Sequence, residues 1–205
     1  NALLKNRDVS LIFETLPVWD VQLCRYAAEL AMRRAEYISM LAPFAKEKHA
    51  FLTDGAETLE ISSDKHYGDD KEEIEKRLLA EFEANYEKDV KLGFTTVGPH
   101  RDDLKILING TEARVYGSQG QARTAALAIK LAEVEIFQKT AGESPVLILD
   151  DVMSELDLAR RRKLLAEIDG IQTILTCTHT EKVLFGKTVN KIRIVGGKIK
   201  QAKGN

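Results

Sequence analysis

Two short segments carry residue types and spacings from which chemistry can be built. Residues 145–157 read Pro-Val-Leu-Ile-Leu-Asp-Asp-Val-Met-Ser-Glu-Leu-Asp, an aliphatic run closed by two adjacent carboxylates. A short apolar run bounded by breakers fits a buried strand of a mostly parallel sheet. Acids at the C-terminal end of such a strand, Asp150 and Asp151, lie where open α/β sheets bind ligands. Carboxylates there can hold hydrated Mg²⁺ and polarise a water, the needs of nucleoside triphosphate hydrolysis. Upstream stands Gly117-Ser118-Gln119-Gly120-Gln121, a small polar turn leading into a long helical pattern. Backbone N–H groups at such a helix start suit phosphate contact.

Each candidate also has a plain structural reading. Asp150 and Asp151 could cap a turn or pair with a base, but two acids ending an aliphatic run are costly unless something positive is near. That favours function, with Asp150 holding Mg²⁺ through water and Asp151 as general base or water-positioning group. Ser118-Gln119-Gly120-Gln121 fits the capping box S-x-x-Q, which needs no ligand. Capping alone does not demand Gly117 and Gly120, which allow a close backbone approach. Ser154-Glu155-Leu156-Asp157 reads by itself as a helix start before Arg160-Arg161-Arg162-Lys163. His179 follows the strand-like Ile174-Leu175-Thr176-Cys177-Thr178, either facing the same ligand edge as Asp150 or simply exposed. Gly98-Pro99-His100-Arg101-Asp102-Asp103 is a dense polar cluster, a poor metal-ligand set and more simply a turn held by an Arg–Asp pair. Gly186-Lys187-Thr188 is a decoy, because a phosphate-binding P-loop needs Gly where Glu181 stands.

Positioning these groups requires strand–helix alternation. From residue 93 the pattern supplies it. Leu104 to Ile108 alternates as a strand, Asn109-Gly110 is a hairpin turn, and Ala113 to Tyr116 should return as the second strand. A helix is expected over Gln119–Thr140, then strand 146–150, helix 158–168, strand 172–177 and a hairpin around Gly196-Gly197. Short links between strand, helix and strand mark the α/β class. Residues 1–92 look mainly helical. Trp19, Leu23, Tyr26, Leu30, Tyr37 and Leu41 follow helical spacing up to about Leu52, with Pro43 expected to kink or end the helix. Glu57 to Ser62 alternates as a strand, and a charged helix runs on to about Lys91 with Gly93 as its stop. The chain divides near residue 92 into a helical arm domain (1–92) and an α/β lobe (93–205).

The 205 residues are 44% hydrophobic and 30% charged, an ordinary globular composition with net charge −2. No apolar run approaches the ~18 residues of a membrane span, and the N-terminus has no signal-peptide pattern. Cys24 and Cys177, with no C-x-x-C pair, read as reduced core thiols of a cytoplasmic protein. Charge is uneven: Asp64 to Asp89 carries ten acids against five bases, and Lys187 to the end has six bases and no acid. The basic tail can contact phosphates or keep an edge strand soluble.

The acid-ended strand, the Ser-x-Gly-Gln turn, the Ser-Glu-Leu-Asp loop and the strand-end Thr-His, in this order, resemble the C-terminal lobe of ABC-type ATPases. Within that class the chain resembles the RecF family of bacterial recombinational-repair proteins. The resemblance is carried by Thr95 to Leu104, Gly117 to Thr124 and Leu149 to Asp157, and covers nearly the whole chain. It implies an α/β, ABC-ATPase-like lobe with a mixed or parallel sheet and a helical arm. It also implies that the Walker A lobe is absent from this sequence, so that the fragment binds ATP poorly and hydrolyses none, the full-length protein being a slow DNA-stimulated ATPase.

The resemblance further makes Asp150 the Walker B acid and metal ligand, and puts Asp151 in the place of a catalytic Glu. It makes Ser118, Gln119, Gly120 and Gln121 the signature that meets ATP held by a second protomer. Ser154 to Asp157 become the D-loop across that interface, and His179 the switch histidine. It implies ATP and Mg²⁺ as cofactors and an ATP-dependent homodimer that clamps DNA, independent of sequence, at gaps or single-strand/duplex junctions. The implied partners are RecR and RecO, with no membrane. Two departures matter: Asp151 is one methylene shorter than Glu, which suggests slow turnover, and Val152 replaces the Pro usual in transporters. A non-hydrolysing scaffold and another SMC-like repair ATPase are the alternatives. The latter normally carries far longer coiled coils than residues 1–90.

Overall fold

The computed structural model describes residues 1–5, 9–178 and 189–201, apart from the side chains of Val9 and Gln201. After a short 3-10 turn at Leu3–Lys5, helix α1 runs over Val9–Thr53, 45 residues with both Pro17 and Pro43 inside it. Pro43 therefore does not end the helix. A proline frees the carbonyl four residues earlier, and those residues, Phe13 and Ser39, are exposed, as are both prolines, so water can satisfy the freed groups. The apolar face of α1 then outweighs the two lost bonds.

That face serves different cores along its length. Ile12 and Leu16 pack with Leu4. Cys24, Ala27 and Ala28 meet Tyr67 and the apolar side of α2 (Lys71–Leu92), namely Ile74, Leu78 and Phe82. Ile38, Leu41, Ala45 and Leu52 enter the main core. Helix α2 starts at Asp70, whose side chain accepts from Glu73 N, and stops at Gly93 in the left-handed region (φ 75°).

Strand β1 (Leu59–Ser63) pairs antiparallel with β2 (Leu104–Ile108), placing Ile61 opposite Ile106. Asn109 and Gly110, both at positive φ (52° and 75°), turn β2 into β3 (Thr111–Glu112). The return strand expected over Ala113–Tyr116 is instead a single helical turn, α3. Pairing stops at Glu112, so the chain is already turning toward α4 (Gln119–Ala141), which ends at left-handed Gly142. Strand β4 (Leu147–Leu149) then pairs parallel with β5 (Thr173–Leu175) through helix α5 (Leu158–Glu167). A hairpin of β6 (Ile192–Val195) and β7 (Lys198–Gln201) follows. The molecule is thus mixed α and β, with parallel and antiparallel pairing both present.

The main core joins the second half of α1 to β1, β2, α4, β4 and α5, with Ala128, Ala132, Met153 and Leu164 fully buried. Small residues on α4 let α1 approach closely. At the rim Lys48 of α1 pairs with Glu135 of α4 at 2.7 Å and also with Glu167 of α5. This lowers the Glu135 pKa through hydrogen bonds from Lys48 and Lys139. One face of the β4–β5 pair lies on this core through Leu149, while Ile148 and Ile174 of the other face are exposed. No described helix is long and apolar enough to cross a membrane.

Candidate functional site

The turn at Gly117–Gln121 is built by local chemistry. Ser118 is extended (φ −66°, ψ 158°) and caps α4. Its Oγ accepts from Gln121 N at 3.2 Å, and its own N–H donates to Gln121 Oε1 at 2.9 Å. The cap uses the hydroxyl as acceptor, so the exposed Ser118 keeps an O–H proton to donate outward, at the positive end of a 23-residue helix. The two glycines differ. A Cβ on Gly117 would sit 2.4 Å from the Ala113 carbonyl oxygen, so the chain's own path requires glycine there. A Cβ on Gly120 would meet nothing nearer than Ser118 Oγ at 3.9 Å, so only an outside group would need that space. Gln119 is exposed beside it. Gln121 is half-buried, and its amide Nε2 donates to Glu57 Oε1 at 2.9 Å.

The acid pair is held differently. Asp150 and Asp151 leave the C-terminal end of β4, both exposed. Thr176, just past the parallel end of β5, organises them. Its N–H donates to Leu149 O at 3.0 Å, its Oγ accepts from Asp151 N at 2.9 Å, and the same hydroxyl donates to Asp150 Oδ1. Asp151 is at φ 51°, a left-handed conformation that Asp tolerates better than most residues. Its carbonyl accepts from both Ser154 N (3.2 Å) and Ser154 Oγ (2.9 Å). The tight bend thus aims both carboxyl groups outward from the sheet edge.

The Ser154–Asp157 loop closes onto α5. Asp157 caps it, accepting from Arg160 N at 2.9 Å and Arg160 Nη1 at 2.8 Å. Those contacts, the backbone bond first, hold its carboxyl below the usual range. Glu155 pairs with Arg123 of α4 at 3.2 Å, which brings the loop to the Ser118 turn. Ser118 and Asp150 share no hydrogen bond or ion pair. His179 lies outside the described residues, as does Gly186-Lys187-Thr188. Thr176, Glu57 and Arg123 are the positioning residues that pattern reading passed over. Thr176 follows directly on the apolar pair Ile174-Leu175 at the end of β5, and nothing in its spacing ties it to Asp150.

The Gly98–Asp103 cluster resolves into structural contacts. Arg101 donates to Thr95 O from two nitrogens at 3.1 Å and lies 4.8 Å from the Phe94 ring centroid. Tyr67 donates to Asp102 at 2.9 Å, Arg34 to Pro99 O at 2.6 Å, and Arg114 pairs with Asp103. Among the described residues no group of three His, Cys, Asp or Glu is placed to hold a metal ion alone. Mg²⁺ commonly rests on one or two carboxylates plus substrate phosphates and water, so a lone Asp150 fits it only when nucleotide is bound.

Comparison with known proteins bears on this geometry. No family model matches the chain. Over 206 residues it is 41% identical to the DNA replication and repair protein RecF of Ruminiclostridium cellulolyticum, covering 97% of this chain and 55% of that protein. RecF of Clostridium perfringens is 40% identical over 204 residues with the same coverage. The chain is RecF-like over nearly its whole length. It spans about half the length of the curated relatives it matches, their C-terminal part. Two solved structures of the recombination mediator protein RecF in the RecFOR pathway, described as RecF-ATP and RecF-ATPrS, share its fold. Each gives a TM-score of 0.78 at 36% identity over 93% of this chain and 51% of that one.

Proposed function

We propose that this chain supplies the signature-bearing lobe and helical arm of a RecF-like DNA replication and repair protein that dimerises on ATP and clamps DNA. The observation that carries the reading is the Ser118 turn. Its hydroxyl is spent as an acceptor but free as a donor, beside an open Gly120, at the start of a long helix. That is a phosphate contact waiting for a group from another molecule. The relatives support the nucleotide, since solved RecF structures are described with ATP and ATPrS.

In this reading Ser118, Gln119, Gly120 and Gln121 form the signature that meets the terminal phosphate of ATP held by a partner protomer, Ser118 donating its hydroxyl and Gln121 holding the turn in shape. Mg²⁺, when bound with nucleotide, neutralises charge developing on the phosphate oxygens. Asp150 would hold it, through water, with the carboxylate oxygen that Thr176 leaves free. Asp151 orients the attacking water, its reach set by the left-handed bend and by a side chain shorter than Glu. Turnover is therefore slow, as befits a clamp. Ser154 and Asp157 face the same interface, and His179 is read as the switch histidine. Residues 1–92 act as the arm and 93–205 as the lobe, joined by the shared core and by β1–β2 pairing.

The DNA surface is proposed on the β6–β7 hairpin. Arg193 lies directly opposite Lys200, with Lys198 on the same face and Ile194 opposite Ile199 on the other. Like charges facing across strands repel, and phosphates relieve that. DNA affinity of the full-length protein should fall steeply and linearly on a log–log salt plot, and a flat plot removes the DNA role. Gaps and single-strand/duplex junctions are the proposed targets, with RecR and RecO as pathway partners and the cytoplasm as location.

The deciding experiment is sedimentation of the full-length protein with Mg-ATP and a short duplex, wild type beside Ser118→Arg. Wild-type dimers and a monomeric variant that still binds nucleotide support contact in trans. Equal behaviour of the two reduces Ser118 to a helix cap.

A further inference from the structure

Four buried side-chain polar atoms among the described residues have no hydrogen-bond partner within the chain: His49 Nδ1, His49 Nε2, Glu57 Oε2 and Arg160 Nε. They are not scattered. His49 Nε2 lies 3.7 Å from Glu57 Oε2, and the Glu57 charge and backbone, then Arg160, lie near enough to bear on the His49 imidazole. The three residues come from three separate elements: His49 from α1, Glu57 from the loop between α1 and β1, and Arg160 from α5. Buried polar groups are normally satisfied, so one cluster holding all four exceptions calls for a physical account.

The account lies in what each residue does with its remaining atoms. Glu57 Oε1 accepts from Gln121 Nε2 at 2.9 Å, and Gln121 Oε1 accepts from Ser118 N at 2.9 Å. Arg160 Nη1 donates to Asp157 Oδ2 at 2.8 Å. Hydrogen bonds therefore link Ser118 through Gln121 to Glu57, and separately Arg160 to Asp157, with the buried His49 lying 3.7 Å from Glu57. His49 is fully buried, so it cannot serve solvent or a ligand directly. A half-satisfied buried network is also one that can settle into another arrangement, since alternative pairings among its members lose few bonds.

We propose that Glu57, with His49 and Arg160, positions the Ser118 turn and couples it to the Ser154–Asp157 loop, so that the two segments order or loosen together. Glu57 is the joint. Its carboxylate fixes the Gln121 amide, and that amide fixes the Ser118 backbone. On the other side Glu57 lies against His49 near the end of α1, and Lys163 of α5 pairs with Asp54 there at 2.7 Å, which ties the position of α5, and with it Asp157, to the end of α1. The exposed Arg123–Glu155 pair is a second link at the rim, weaker because water screens it. The proposal rests on the reading that both segments meet nucleotide, but the coupling itself exists without nucleotide and is measured without it.

Amide hydrogen exchange of the full-length protein, without nucleotide, tests it with Glu57→Ala and Glu57→Gln. Glu57→Ala should raise exchange at least tenfold in both 118–124 and 157–161. Glu57→Gln, which can still accept from Gln121 through its amide oxygen, should restore protection at 118–124. Faster exchange in 118–124 alone, or in neither segment, overturns the coupling. Faster exchange throughout the chain in both variants means Glu57 is merely structural and also overturns it. Dimerisation with Mg-ATP is the second readout, expected to weaken tenfold or more in Glu57→Ala at unchanged nucleotide affinity. A wild type that never dimerises removes the clamp reading, while the exchange result still decides the coupling.

Discussion

The Ser118 turn and the Asp150–Asp151 bend are held by opposite kinds of support. The turn is held in depth, with a capping box at its surface, the Gln121–Glu57 bond beneath and the His49–Arg160 cluster beneath that. The bend hangs on one hydroxyl, Thr176, and on a left-handed residue. A turn that meets a phosphate from another molecule must be shaped in advance, because nothing in its own chain will shape it. A carboxylate that holds a hydrated cation is completed by its ligand and gains from remaining adjustable. Local contacts from Thr176 and Ser154 aim the acids, whereas the turn draws on a half-buried carboxylate from a distant segment.

That contrast can be broken experimentally. The largest effect is expected from Asp150→Asn in the full-length protein: hydrolysis down by ~100-fold or more, a loss of at least about 2.7 kcal/mol in transition-state stabilisation, with melting unchanged because the side chain is exposed. Next is Ser118→Asp, which separates the two roles of that residue. Aspartate caps as well as serine, so melting should hold, while its charge opposes the phosphate and ATP-dependent dimerisation is lost. A dimer that survives Ser118→Asp contradicts the phosphate contact. Thr176→Val, by removing the hydroxyl that joins Asp150 to Asp151 N, should lower hydrolysis about tenfold and stability by about 1 kcal/mol, read by turnover and denaturant midpoint. If it changes nothing, the bend is self-supporting.

The smallest effect tests the depth of the turn's support through pH. Burial pushes the His49 imidazole below its usual pKa and Arg160 adds to this, with Glu57 opposing. The folded state therefore holds His49 neutral, while the unfolded state takes up a proton below about pH 6.5. Stability from the neutral ring is present above that pH and is lost as pH falls through the window below it. Asp20 acts in the opposite sense, its carboxyl pushed up to about 6 by burial beside Asp89 and Glu83. The difference between wild type and His49→Leu cancels the Asp20 contribution. The variant should gain on the wild type as pH falls below about 6.5. A pH-independent difference would mean His49 is not buried neutral.

Much of this was legible in the sequence because it is local. Ser118 with Gln121, Asn109-Gly110 and the Gly93 stop act within a few residues, and each is found where its chemistry placed it. Pro43 and Ala113–Tyr116 departed from local preference because tertiary packing decided them: a long apolar face kept α1 helical, and an early end to pairing released the chain after Glu112. The positioning residues are the least local. Glu57 lies 64 residues from Gln121 and Thr176 lies 26 from Asp150, separations at which no spacing rule operates. His49 left a trace. It occupies a turn of the buried stripe Ile38, Leu41, Ala45, Leu52, and a histidine on such a stripe must find a partner or remain neutral.

The unbroken course of α1 gives the molecule a strut. From Trp19, whose ring is exposed, to His49, the helix is roughly 45 Å long. A tilt of about 3° around one end of such a strut carries the other end roughly 2 Å, beyond what a hydrogen bond tolerates. The buried cluster sits where that motion would arrive. By its length alone, such a strut turns a small angle at one end into a displacement at the other that a hydrogen bond would register.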